Sequence, residues 1–390
     1  MNRSRLAFLA LSLLLVLPLV TSNLGAVDPP GDEDSLFKHL AVFTEVLGLV
    51  NQAYVEPAED DVLMEGALDG ATDALDPFSV YVPSSGVEAY RRARVDAVGH
   101  SGLILLRERG VIYAVAVGKG SPAETAGLEA GDVVAEIDGE PTRLTPLWRV
   151  QNLLAKPAGS VVNLKIFRNQ ELKDLDLTLG TYASPAPEIS EQGGVSVVKL
   201  FDFDDRATTA AATALKNAAQ RASTQFVLDV RGVATGSERV AYAVAGLFAS
   251  GELGSLKKRS EAVETFEGGA SPWQGDLVVL VDRSSLGPAE IVATVLRQKA
   301  GAELVGERTF GYAGRLKEVP LPSGGQLWLT DAFYTGPDGE PLRSSLAPDV
   351  LVNVSPWLED DSGDPKDQIL ERALSRLQEM AEESVEQEAA

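Results

Sequence analysis

Apolar positions recur at helical spacing in "LFKHLAVFTEVLGLVNQAYV", where Leu36, Leu40, Phe43, Leu47 and Val50 fall on one face of a predicted helix. A second helix, "DDVLMEGALDGATDALD", opens on aspartates and stops at Asp76-Pro77, because a residue before proline avoids the helical region. From about Val95 to Leu179 the pattern shortens to β-branched runs between glycine turns. "GLILL", "VIYAVAVG", "DVVAEIDG" and "VVNLKIFR" are predicted strands; "SPAETAGL", with Ser121 as N-cap, and "LTPLWRVQNLL" are predicted helices. The stretch "TYASPAPEISEQGG" breaks the pattern as a linker. Beyond it, buried-type strands "VSVVKL", "QFVLDVR", "DLVVLVD" and "AELVGER" alternate with helices "DRATTAAATALKNAAQRA" and "PAEIVATVLRQKA". That alternation predicts an α/β layer with a largely parallel sheet, and an acidic helix closes the chain.

The fold class expected is α/β multidomain: an N-terminal helical segment, a β-rich middle domain with two helices, and an α/β layered core with a C-terminal helix. The boundaries fall at 1–26, 27–94, 95–180, 181–193 and 194–390. Residues 1–26 have the layout of a secretory signal: Arg3 and Arg5, an apolar run from Leu6 to Val20, then small and polar residues. Val20-Thr21-Ser22 or Leu24-Gly25-Ala26 is the expected cleavage region, with an uncleaved anchor as the alternative. The expected location is therefore exported, periplasmic or otherwise outside the cytoplasm, with membrane contact only through an uncleaved N-terminus.

A formal charge of −23 disfavours nucleic acid and anionic lipid. With no cysteine there is no disulfide, thiol nucleophile or thiolate metal site. No zinc-type histidine cluster, calcium loop or phosphate-binding Gly-Lys loop occurs, so neither metal nor cofactor is expected.

"GSPAETAGLEAGDVVAEIDGEPT", Gly120 to Thr142, resembles the corresponding run of PDZ domains in bacterial proteases. That resemblance implies peptide capture by strand addition. The expected binding residues are a loop of Gly99, His100, Ser101 and Gly102 leading into a receiving strand with Leu103, Ile104 and Leu105. The expected partners are unfolded or C-terminal peptides of exported proteins, an active peptidase relative, or further copies of the chain.

Leu75-Asp76-Pro77-Phe78-Ser79, "FVLDVRGVATG", "GERTFG" and "SLAPDV" resemble, in order, the carboxyl-terminal processing (tail-specific) peptidase family. The family pairs a serine nucleophile with a lysine base. A hydroxyl needs such a base at neutral pH, and lysine serves only with a lowered pKa. His39 and His100 both lie outside the third region, so no Ser-His-Asp arrangement has a base there.

The resemblance places the nucleophile three residues before Glu290, where Gly287 stands. It places the base after Gly306-Glu307-Arg308-Thr309-Phe310-Gly311, where Tyr312 stands, and a supporting glutamine at Leu316. The family's glycine pair in the oxyanion loop becomes Thr235-Gly236. The expectation is a PDZ-containing homologue that binds peptide with little or no cleavage. The alternatives are a working endopeptidase with relocated residues, Ser285 and Lys317, and a structural assembly subunit. Odd spacing along a strand would put Lys317 on the face opposite position 312.

Overall fold

The computed structural model describes residues 32–143, 145–259, 261–269, 273–354 and 367–389. The signal or anchor expected at 1–26 lies outside them. Contacts group the chain into two compact units, Met1–Ala67 and Leu68–Ala390. In the first, helix α1 spans Asp32–Ala53 and the Asn51 amide donates to Asp60 Oδ1 at 2.6 Å, at the start of α2 (Asp60–Asp73).

In the second unit, β1 (Val80–Val82) precedes α3 (Val87–Ser101), so the segment read as purely helical also supplies a strand. The middle domain follows: β2 (Leu103–Glu108), β3 (Val111–Val117), α4 (Pro122–Thr125), β4 (Val133–Ile137), β5 (Glu140–Pro141), α5 (Leu147–Leu154), β6 (Val161–Arg168) and β7 (Glu171–Thr178). Its sheet runs β2-β3-β4-β6-β7, leaving β2 at an edge. Leu103, Leu105, Ile112, Ile137, Val150, Leu154, Leu164 and Ile166 fill its core. As expected, Ser121 caps α4, its hydroxyl accepting from Glu124 N at 3.1 Å.

The third region contains β8 (Glu188–Gln192), β9 (Val195–Lys199), α6 (Asp205–Gln220), β10 (Gln225–Asp229), α7 (Glu238–Ala245), β11 (Glu252–Lys258), β12 (Glu261–Glu267), β13 (Asp276–Val281), α8 (Pro288–Lys299), β14 (Glu303–Gly306), β15 (Gly314–Pro320), β16 (Gln326–Tyr334), β17 (Val350–Leu351) and α9 (Gln368–Ala389). A sheet of order β17-β14-β13-β10-β9-β8 is parallel except at β8–β9. Its strands are apolar on both faces because both are covered. Leu228, Val279 and Leu304 pack among residues of α6, α7 and α8, whereas Val227, Val278 and Val305 meet Ile369, Ala373 and Leu377 of α9. A second sheet, β1-β16-β11-β12 with β15 beside β16, draws strands from both ends of the unit. This is the mixed α/β architecture expected, with helices at the N-terminus and a closing C-terminal helix.

Candidate functional site

The turn from β13 into α8 is built around one carboxylate. Glu290, 1% exposed, accepts at Oε1 from Thr309 Oγ1 (2.5 Å) and Gly311 N (2.6 Å), and at Oε2 from Gly287 N (3.1 Å) and Tyr312 N (2.8 Å). Burial pushes its pKa up, and the donors around it pull the other way. One side chain thus fixes the start of α8 against the segment after β14. Gly287 and Tyr312 thereby donate to the same carboxylate oxygen.

Gly287 holds φ 57° and ψ −105°, in the half of backbone space where glycine is at ease. A Cβ there would meet only Tyr312 O, at 3.8 Å, so the turn has room for a side chain that glycine lacks. The Tyr312 ring stacks on Phe78 (4.3 Å between centroids, 23° between planes) and meets Phe333 edge-on at 5.3 Å. Its hydroxyl shares a 2.5 Å hydrogen bond with Thr330 Oγ1. Burial drives the phenol pKa well above its ordinary value. Leu106 and Val115 of the middle domain's sheet pack with Leu286, Phe310 and Tyr312 over the same spot.

Leu316 is half-buried against the cluster of Val80, Tyr90, Trp148 and Trp328, an apolar packing role in place of an amide. Ser285 and Lys317 are placed on separate elements, the turn after β13 and strand β15. Ser285 is fully buried; its hydroxyl donates to Val230 O at 3.0 Å and accepts from Asp282 N at 3.0 Å, tying the end of β10 to the turn. Lys317 is exposed on β15, paired in register with Leu329.

In the strand-end loop, Gly236 holds φ 112°, and a Cβ would lie 2.4 Å from Phe203 N, so only glycine fits. Thr235 does not take positive φ. Its carbonyl accepts from Phe203 N at 3.3 Å and Ser237 N donates to Phe203 O at 2.8 Å, stitching the loop to the turn before α6.

The expected carboxylate loop is corrected. Gly99, His100 and Ser101 form the last turn of α3, and Gly102 is its left-handed C-cap. The helix persists because Ser101 Oγ donates to Ala97 O (2.5 Å) and accepts from Leu103 N (3.0 Å). Gly102 N donates to Val98 O at 2.7 Å, so these amides are already engaged. The last carbonyls are met by the following linker: Gly180 N reaches His100 O (2.9 Å) and Tyr182 N reaches Gly99 O (2.7 Å). A helix C-terminus carries partial negative charge and repels a carboxylate. Leu103, Ile104 and Leu105 do lie on edge strand β2. A cleft of about 370 Å³ runs from Gly102, Ile104 and Tyr182 to Ala234 and Thr235, joining this strand to the strand-end loop.

Several contributors were not legible as site residues. Asp76 caps the turn that follows α2, accepting from Phe78 N, Ser79 N and Ser79 Oγ at 2.7–2.8 Å, and Ser79 Oγ accepts from Thr330 N at 3.2 Å. The Leu-Asp-Pro-Phe-Ser run therefore delivers Phe78 onto Tyr312; the motif was visible, its target was not. Among the described residues, no group of three or more His, Asp or Glu side chains is arranged to hold a metal.

Residues 194–352 match peptidase family S41 and residues 113–168 match the PDZ domain. The carboxy-terminal-processing protease of Bartonella bacilliformis is 27% identical over 356 residues, covering 88% of this chain and 80% of that protein. Carboxy-terminal processing protease CtpB of Bacillus subtilis is also 27% identical, over 78% of this chain, which spans 66% of that relative's length. A solved photosystem II D1 C-terminal processing protease shares the fold with a TM-score of 0.67 at 24% identity, over 82% of this chain and 89% of its own. The chain thus carries a segment that matches the PDZ domain and a core that matches peptidase family S41 over residues 194–352.

Proposed function

We propose that this chain is an exported S41 homologue that holds extended peptide segments and cleaves them little or not at all. The observation that carries the reading is the Tyr312 ring, stacked on Phe78 and bonded to Thr330 where the base is expected, while glycine stands at 287 where the nucleophile is expected. The intact frame around Glu290 supports retention of the family's geometry without its reacting groups. The cleft between β2 and the strand-end loop supplies a surface for an extended segment. Capture of a free C-terminus by residues 99–102 has no donor set in its favour, so internal or unfolded segments of exported proteins are the ligands of choice. Export rests on the basic-then-apolar run at the N-terminus. Among the described residues no helix is long and apolar enough to cross a membrane.

A second reading, an assembly subunit, draws on α1, where Phe37, Val42, Val46 and Leu49 are exposed. Relocated catalysis by Ser285 and Lys317 has no such observation behind it.

The test is degradation of a fluorescently labelled unfolded protein by the purified chain, beside the double variant Gly287→Ser with Tyr312→Lys. A silent parent chain and an active double variant are expected. Cleavage by the parent that Ser285→Ala abolishes would overturn the reading.

A further inference from the structure

In a chain of charge −23, one cleft has the opposite character. Lys257, Lys258, Arg259 and Arg343 line a depression of about 420 Å³ floored by Ala332, Phe333 and Pro341. No carboxylate among the described residues lies within ion-pair distance of these four. Lys257 Nζ donates to Gly339 O at 2.8 Å, and the Arg343 guanidinium lies 5.6 Å from the Phe333 ring centroid. The acidic side chain in the lining, Asp331, is already held by Arg315 through bonds of 2.8 and 2.7 Å, which keep its pKa below the ordinary carboxylate range.

The backbone beneath is only partly paired, Thr330 N already donating to Ser79 Oγ at 3.2 Å. β15 pairs along one edge of β16 from Gln326 to Phe333. On the other edge β1 takes Gln326–Trp328 and β11 takes Phe333–Tyr334, so no strand ladder among the described residues covers Leu329–Ala332. The cleft opens where β11 parts from β16 after the Lys257–Phe333 pair, and Thr330 in its lining is the residue bonded to the Tyr312 hydroxyl.

We propose that this cleft receives an acidic stretch of an extended peptide, its carboxylates on the cation rim and its chain along the apolar floor of Ala332, Phe333 and Pro341. A space of this size, with an apolar floor and spread-out cations, fits a peptide better than a compact inorganic anion, which would leave most of the rim unpaired. The inference deepens the peptide-binding reading above and rests on it only in taking peptide as the ligand.

The experiment is fluorescence anisotropy of the full chain with a short, labelled, C-terminally amidated peptide rich in glutamate, beside its glutamine counterpart. The expected result is tighter binding of the glutamate peptide, weakened by salt, and lowered about tenfold by Lys258→Glu with Arg343→Glu. Both positions are exposed, and Lys258→Gln with Arg343→Gln, expected to lose less, separates repulsion from lost attraction. Equal binding of the two peptides, or no effect of the variants, overturns this inference while leaving general peptide binding intact. Binding of neither peptide overturns both. Full displacement of the glutamate peptide by inorganic phosphate at matched ionic strength would mark the rim as a plain anion site and overturn the peptide assignment.

Discussion

Glu290 and Tyr312 are opposite cases of what a single residue does in this site. Glu290 satisfies four donors from two chain segments, so Glu290→Gln would set an amide N–H₂ against backbone N–H groups in a buried space. We expect a loss of about 3 kcal/mol, read as a lower urea midpoint. Tyr312 has a folded pKa raised by burial, so its contribution to stability is complete below the ordinary tyrosine value of ~10 and is lost as pH rises toward the folded value. Tyr312→Phe should therefore flatten the alkaline limb of the stability curve; an unchanged limb would assign that loss to other buried tyrosines. Glu290 was legible because its spacing from Gly287 is local. The stack of Phe78 on Tyr312 was not, since the two rings are far apart in sequence and meet only through the pairing of β1 with β16.

Among the elements, the buried strands β9, β10, β13 and β14 stood out in sequence because both their faces are covered, leaving uninterrupted apolar runs. Strands β1, β8 and β12 are among those that escaped, along with β5, β7, β11, β16 and β17: β1 is short, and β8 and β12 are largely exposed, so these three carry no clear periodicity. The end of α3 was misread for a different reason. Gly99 and Gly102 look like a loop, yet the Ser101 hydroxyl bonded back to Ala97 extends the helix to its cap. If that end repels carboxylates, a peptide with a free C-terminus should bind no more tightly than its amidated form. A preference of tenfold or more for the free acid, measured by anisotropy, would restore carboxylate capture.

For the molecule as a whole, fold and family order were readable from separated motifs, because each marks a turn that the architecture needs. How the PDZ domain sits was not readable: Leu106 and Val115 cover the position where chemistry would occur, a contact between domains with no local sequence signature. Leu106→Ala should remove buried surface shared by both domains, costing about 2–4 kcal/mol and lowering the thermal midpoint. On the reading proposed above, the aromatic clamp on Tyr312 also orders the two substitutions that would place a nucleophile and a base here. Lysine arriving first at 312 would bury an unpaired ammonium between Phe78 and Phe333, whereas serine arriving first at 287 meets open space and only backbone strain of ~1–3 kcal/mol. Of the two single variants, Gly287→Ser is therefore expected to keep a higher thermal midpoint than Tyr312→Lys, and equal midpoints would show that the clamp yields to a charge.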